Sequence, residues 1–360
     1  MKVAVLVSGG VDSSVALALA KQQGHDVTAF YLKIWLEDEL SSLAECPWEE
    51  DLKYVRAVCA QLEVPLEIIS LQQEYWEHVV SYTIAQVKVG RTPNPDVFCN
   101  QKVKFGFFLQ KIDASYEKIA TGHYAQIHQD GPHYILKKTP DPIKDQTYFL
   151  AYLRQDQLAR CMFPIGHLNK TQVREYAHAL NLPNKDRKDS QGICFLGKFK
   201  FREFVYHYLG EKVGALVEWE THKKVGEHSG FWFYTIGQRQ GIGLAGGPWY
   251  VVSKDPEHNI VYISRDYYAD GNMRNTFELQ EMNWFTGKAP DSLQNLTVKL
   301  RHGAHQYPCT VQEFMDDRQK SRVRVTLAEN DQGIAPGQFA VFYQGSYCLG
   351  SGIISERDSR

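Results

Sequence analysis

Val7-Ser8-Gly9-Gly10-Val11-Asp12-Ser13-Ser14 lies between an apolar run, Val3-Ala4-Val5-Leu6, and a helix-like run from Val15 to Gln23, so the chain reads here as strand, tight loop and helix start. Gly9 and Gly10 have no Cβ, which lets backbone N–H groups close around an anion. The hydroxyls of Ser8, Ser13 and Ser14 and the positive end of the following helix add further donors. The ligand that suits such a cradle is a phosphate. A Walker loop would place a Lys directly before its final Ser/Thr, and a dinucleotide fingerprint would show three spaced glycines; neither is present. Asp12 adds a carboxylate that those motifs lack and suits a role in holding Mg²⁺ against phosphates. The plainer alternative is a Gly/Ser turn opening an ordinary helix, but this composition at the end of a first strand favours the phosphate.

Outward from the loop, Ala16, Leu17, Leu19 and Ala20 carry a helix to Gly24, and residues 26–35 read as a buried strand. An acidic stretch over 37–51 is expected as a surface loop. A helix with Cys59 in its core-facing stripe follows, then a strand near 65–71 and a helix over 75–87. Strand–helix alternation of this kind predicts an α/β fold with a doubly wound parallel sheet, whose ligands lie across the carboxyl ends of the strands. Tyr31, Leu32 and Lys33 end one such strand and are candidates to line a nucleotide base. Thr121-Gly122-His123-Tyr124 ends another: Gly122 is expected to let a base or ribose approach the backbone, and His123 is either a substrate contact or a structural hydrogen bonder.

Two cysteines stand in unusual settings. In Gly90-Arg91-Thr92-Pro93-Asn94-Pro95-Asp96-Val97-Phe98-Cys99-Asn100 the alternate prolines predict a rigid loop before a helix that starts near Lys102, with Cys99 at that helix's N-terminus beside Lys102 and Lys104, where a thiolate is favoured. Cys194 follows the basic, glycine-containing stretch Lys185 to Gly192, which suits an accessible thiol; the alternative is a cysteine entering the short apolar run Ile193 to Leu196. The other cysteines are dispersed without a CxxC pair, which argues against a disulfide scaffold and against a zinc or iron–sulfur cluster, so no resident metal ligands are assigned. Between the two motifs, Lys144-Asp145-Gln146 offers a cation, an acceptor and an amide from what reads as a solvated loop. Asn169 caps a further helix.

The 360 residues carry 40 Lys plus Arg against 42 Asp plus Glu, a formal charge of −2, so any surface that binds nucleic acid must be local. No run approaches the roughly 20 apolar residues of a membrane span, and the apolar start is too short for a signal peptide; a cytoplasmic protein without a membrane partner is expected. Pattern shifts divide the chain into residues 1–200, a small mainly-β domain over 201–273, and a C-terminal β-barrel domain over 274–360. Arg301, His302 and Gln338 lie next to strands of the last domain, where a partner can meet them. The glycine-rich stretch from Gly237 to Gly247 has no helix after it and reads as turns.

Ser8-Gly9-Gly10-Val11-Asp12-Ser13 resembles the pyrophosphatase loop of enzymes that cleave ATP to AMP and pyrophosphate. With Asn94-Pro95-Asp96-Val97-Phe98-Cys99-Asn100, Thr121-Gly122-His123-Tyr124-Ala125, Lys144-Asp145-Gln146-Thr147-Tyr148-Phe149-Leu150 and Asp189-Ser190-Gln191-Gly192-Ile193-Cys194-Phe195 in that order, the whole chain resembles the tRNA-specific 2-thiouridylase family. The resemblance implies ATP-dependent adenylation of uridine 34 at O2 and sulfur transfer from a cysteine persulfide. Leu6, Val7, Ser8, Gly9, Gly10, Val11, Asp12 and Ser13 would hold the pyrophosphate portion of ATP, Leu32 and Gly122 the adenosine, and Mg²⁺ would offset phosphate charge. Cys194 would carry the persulfide, Cys99 would attack it, and Asp96 would move protons. Asn94, Pro95 and Asp96 would meet the target base; His123, Lys144, Asp145, Gln146, Arg301, His302 and Gln338 would contact tRNA. His302 stands where many members carry tyrosine, and Leu32 where methionine is frequent. The implied partners are tRNAs with lysine, glutamate or glutamine anticodons and a persulfide donor, either a cysteine desulfurase or a sulfur-relay protein. The rivals are another ATP-dependent tRNA-modifying or amide-forming enzyme with the same loop, a tRNA-binding module with a vestigial nucleotide site, and a redox sensor built on the two cysteines.

Overall fold

In the computed structural model, the described residues are 1–34, 48–189, 200–269, 274–290, 292–316, 319 and 321–355. The first sheet has five parallel strands in the order β3-β2-β1-β4-β7, formed by β1 (Lys2–Leu6), β2 (Asp26–Lys33), β3 (Leu66–Ser70), β4 (Lys118–Ala120) and β7 (Cys161–Met162). Val3, Ala4 and Val5 have no exposed surface because helices cover both faces, which is why β1 is an unbroken apolar run. The chain winds from β1 towards β3 and then resumes on the other side at β4. The crevice where the order reverses therefore opens between the carboxyl ends of β1 and β4.

Helix α1 (Val11–Gln22) starts directly after the glycine loop and is buried from Val11 to Ala20 except at Asp12. One side packs on the sheet. The other, through Val11, Val15, Ala16 and Leu19, packs against Val173 and Ala177 of the helix Lys170–Ala179. Gly24 ends α1 at φ +79°. The helix Trp48–Gln61 buries Cys59 in its apolar stripe, as its spacing predicts.

The segment expected to be a loop up to Lys102 is helical from Pro95. Asn94 caps it, its side-chain oxygen accepting from Val97 N at 3.4 Å, and Pro95 takes the first helical position, where a missing N–H costs nothing. Hydrogen bonding widens to a π-helix over Cys99–Phe107 and returns to α over Phe108–Lys111. Cys99 therefore lies in the second turn of this rod, buried, and not at its N-terminus.

Strands β8 (Gly214–Glu218), β9 (Lys224–His228), β10 (Tyr250–Asp255) and β11 (Ile260–Ser264) form the small central sheet in the order β10-β11-β8-β9. The C-terminal strands are β12 (Thr276–Trp284), β13 (Leu296–Lys299), β14 (Tyr307–Met315), β15 (Ser321–Leu327), β16 (Phe339–Gln344) and β17 (Tyr347–Ile354). They close into a barrel through the β12–β17 pairing. Closure leaves no open edge within this ring. A hairpin of the N-terminal region, β5 (Ala125–Asp130) and β6 (His133–Lys138), leaves the parallel sheet and joins the barrel strand β17 with Lys137 opposite Tyr347 and Leu136 opposite Cys348. The first and last regions thus share one hydrogen-bonded sheet. No helix among the described residues is long and apolar enough to cross a membrane.

Candidate active site

The glycine loop is shaped by its own polar groups. Gly9 takes φ +79°, a conformation that favours glycine, and Ser13 Oγ accepts from Ser8 N at 3.2 Å while donating to Gly10 O at 3.0 Å. Ser14 Oγ also donates to Gly10 O, at 3.0 Å. These bonds hold Ser8 and Ser13 around the start of α1, whose first N–H groups have no partner within the helix. Gly122, at the end of β4, faces this point. A Cβ there would sit 2.7 Å from Ser13 N and 2.8 Å from Asp12 C, so the glycine is required by packing of the two backbones. This packing is a reason for the glycine in addition to the expected room for a base or ribose. Leu32 is half-buried against the main core at the end of β2.

Polar residues that the sequence reading passed over surround the loop. Lys170 Nζ lies 2.7 Å from Asp12 Oδ1 and 2.6 Å from Asp189 Oδ1. Asp189 also receives Arg174 at 2.6 Å and Lys144 at 2.8 Å; burial raises its carboxyl, but the Lys144 and Lys170 ammoniums outweigh that and hold it down at about 2. Tyr124 donates its hydroxyl to Asp12 Oδ1 at 2.9 Å and exchanges two bonds with Gln146, through Gln146 Oε1 at 3.0 Å and Gln146 N at 2.9 Å. On the other side of the loop, Asn184 Nδ2 donates to Gly9 O at 2.8 Å and to Ser14 Oγ at 2.9 Å. Arg187 reaches the same carbonyl at 3.1 Å, pairs with Asp51 and lies 4.8 Å over the Tyr54 ring. Residues 184–189 are thereby fastened to the loop just before residues 190–199, which include Cys194 and lie outside the described residues.

A second group meets across the join with the barrel. Gln338 Nε2 donates to Thr92 O at 2.9 Å and Pro93 O at 3.3 Å, and its Oε1 accepts from Tyr148 at 3.4 Å; Tyr148 also bonds Asn94. His302 stacks obliquely on Phe149 at 4.6 Å between ring centres, and Arg301 pairs with Asp331 at 2.7 Å. Asp145 is turned inward: it pairs with Lys299 at 3.1 Å and accepts from the Thr147 hydroxyl. The reading of residues 144–146 as a solvated loop therefore fails at Asp145, which is 3% exposed. His123 bonds Thr121 Oγ1 through Nδ1 at 2.7 Å, and burial, aided by the Lys104 cation, holds its imidazole neutral. Asp96 is half-buried and Pro95 buried, both in the first turn of the helix that leads to Cys99.

Fold and site together define an α/β protein with a glycine-loop anion site at its sheet's switch point, extended by two β domains. Three family models match consecutive parts of the chain: a tRNA methyl transferase HUP domain over residues 1–198, a tRNA methyl transferase PRC-barrel domain over 202–265 and an aminomethyltransferase beta-barrel domain over 274–354. The tRNA-specific 2-thiouridylase MnmA of Parabacteroides distasonis is 44% identical over 98% of this chain and 99% of its own. One from Bacteroides thetaiotaomicron is 44% identical over 99% of this chain and 100% of its own, and one from Porphyromonas gingivalis is 43% identical over 99% of both. The chain belongs to the tRNA-specific 2-thiouridylase family.

Proposed function

We propose that this chain is a tRNA sulfurtransferase that converts uridine 34 to 2-thiouridine at the expense of ATP, releasing AMP and pyrophosphate. The observation that carries the reading is the end-to-end similarity to relatives named as tRNA-specific 2-thiouridylases. The geometry of the glycine loop supports it. The uracil O2 is a poor leaving group; attack of O2 on the α-phosphate of ATP, with loss of pyrophosphate, turns it into one. The loop's N–H groups and hydroxyls suit the departing pyrophosphate. The terminal sulfur of a Cys194 persulfide then attacks C2 and AMP leaves with the former O2. The Cys99 thiolate attacks the inner Cys194 sulfur, which leaves the outer sulfur on C2 and closes a Cys99–Cys194 disulfide that a thiol reductant reopens before the next turnover. Asp96, three residues before Cys99 on one helix face, serves as proton carrier.

Asp12 Oδ1 is engaged by Lys170 and Tyr124, and among the described residues no side chain takes its second oxygen, which would suit one cation. No group of three metal-ligating side chains occurs among the described residues, so Mg²⁺ would be held by Asp12 and by phosphate oxygens, where it supplies charge neutralisation. Asn94, Asp96 and Gln338 border the site of the target base, which must leave its stack to reach them. Lys144, Arg301 and His302 supply the surrounding tRNA contacts, and His123, Asp145 and Gln146 support that wall from behind. The tRNAs are those for lysine, glutamate and glutamine, sulfur arrives from a persulfide-carrying protein, and the enzyme works in the cytoplasm.

The test is single-turnover modification of an unmodified glutamate- or lysine-type tRNA with ATP, Mg²⁺ and a persulfide donor, scoring pyrophosphate and the product nucleoside for wild type, Cys99→Ala and Cys194→Ala. The expected result is 2-thiouridine from wild type alone and pyrophosphate from all three. Both variants thiolating at the wild-type rate would remove the cysteines from the mechanism, and a methylated nucleoside formed with a methyl donor would replace the reaction by the one that the family-model descriptions name.

A further inference from the structure

The glycine loop from Val7 to Ser14 contains no cation, yet a triphosphate brings several negative charges to it. We propose that Lys170 is the phosphate-binding cation of this site, supplied from a helix 158 residues further on and held at the loop by Asp12 and Asp189. The inference rests on the ATP reading above.

The placement of Lys170 runs against local preference. It occupies the first position of the helix Lys170–Ala179, after the Asn169 cap, where the positive end of the helix disfavours a cation. Side chains set against a local rule are expected at working sites. Its backbone N–H is fixed by Asp141 Oδ2 at 3.1 Å, and its ammonium by Asp12 at 2.7 Å and Asp189 at 2.6 Å. Two of the three ammonium donors are thereby used among the described residues; the third, together with the one that Asp189 can give up, is what a phosphate takes. The side chain is 17% exposed, so water screens it weakly. Arg187, the other cation on the loop, is committed to Gly9 O, Asp51 and the Tyr54 ring and acts as a brace.

Asp189 makes the exchange balanced. When a phosphate oxygen takes its place on Lys170, its carboxylate keeps Arg174 and Lys144, and no charge is left unpaired. Asp189 thus acts as a positioning residue that holds Lys170 ready and competes mildly with the nucleotide.

Pyrophosphate release on an unmodified tRNA transcript, measured in single turnover across a range of ATP concentrations, separates the roles, with tRNA binding and thermal melting as controls. Lys170→Met is expected to lower adenylation at saturating ATP by about 100-fold or more, as loss of a transition-state donor does, with tRNA binding retained. Lys170→Arg is expected to recover to within about tenfold of wild type. Asp189→Asn is expected to reach half-maximal adenylation at several-fold lower ATP, an effect that a structural role does not produce and that stands even if Lys170→Met fails to fold. Adenylation by Lys170→Met at the wild-type rate, or a higher ATP requirement in Asp189→Asn, overturns the inference and leaves the thiolation reading intact. A wild-type chain that releases no pyrophosphate overturns the nucleotide reading and this inference with it.

Discussion

Lys299 and Asp145 join the barrel to the N-terminal region through one ion pair in which both side chains are 3% exposed. Around the glycine loop, Asp12, Lys144, Lys170, Arg174 and Asp189 make four pairs with side chains 17–35% exposed. The open cluster has more and shorter contacts, but its members share carboxylates and touch water, so one partner can be exchanged for another at small cost. The sealed pair lacks that access to water. Asp145 takes Lys299 and Thr147, Lys299 lies 5.2 Å from the Tyr343 ring centre, and burial removes water as a fallback. Burial, more than the number of bonds, separates an ion pair that fastens two regions from one that can take part in binding.

The sharpest test of that contrast is to strand a charge in the sealed pair. Asp145→Asn or Lys299→Met is expected to destabilise the chain by about 3–5 kcal/mol, because the remaining ion stays buried without its counter-charge. Asp145→Leu combined with Lys299→Met removes both charges and is expected to recover most of that loss. Urea midpoints at constant slope measure it. A loss below about 1 kcal/mol for either single variant would mean that water reaches the pair and would collapse the distinction.

The open cluster answers to acid instead. Asp189 is held at about 2, below its unfolded value of 3.8, so its contribution is fully present above that value and is lost as pH falls through 3.8 towards about 2. With screening of a partly exposed cluster allowed for, the contribution is on the order of 1 kcal/mol. Asp189→Asn is expected to flatten the stability profile in that window. His123 gives a separate signature at milder pH. Its folded pKa lies well below 6.5, so the unfolded chain takes up the proton first and stability declines as pH falls below about 6.5. His123→Gln is expected to remove that decline, and an unchanged slope would mean that the imidazole is not held neutral.

Local signals in the sequence account for the parts of this architecture that lie within a few residues of each other. Strand, glycine loop and helix at Val3–Gln22, the stop at Gly24 and the Asn169 cap each depend on neighbours, and each stands where the pattern places it. Asn94-Pro95 was an equally local cue, a cap followed by proline at the first helical position, but paired prolines also signal a loop, and the loop reading moved the helix start past Cys99. Partner choice in sheets is long-range: nothing in residues 125–138 specifies that their hairpin pairs with β17 some 200 residues later. The polar frame of the site was hidden for the same reason. Lys170, Asn184 and Arg187 look like ordinary helix-start and loop residues until the fold brings them to Asp12 and Gly9.

The smallest expected effect sharpens the comparison from its far end. Arg154 and Asp156 form a pair of more regular geometry than any of these, two parallel bonds of 3.0 and 2.7 Å, yet their side chains are 54% and 66% exposed. If bond geometry set the worth of an ion pair, Asp156→Asn would rival the sealed pair in cost. If burial sets it, the change is expected to cost about 0.2–0.5 kcal/mol and to fade in high salt, since water replaces each lost contact at once. Measured beside Asp145→Asn under the same conditions, a gap of several kcal/mol places the difference in the surroundings of the carboxylates, while similar costs would return the explanation to geometry.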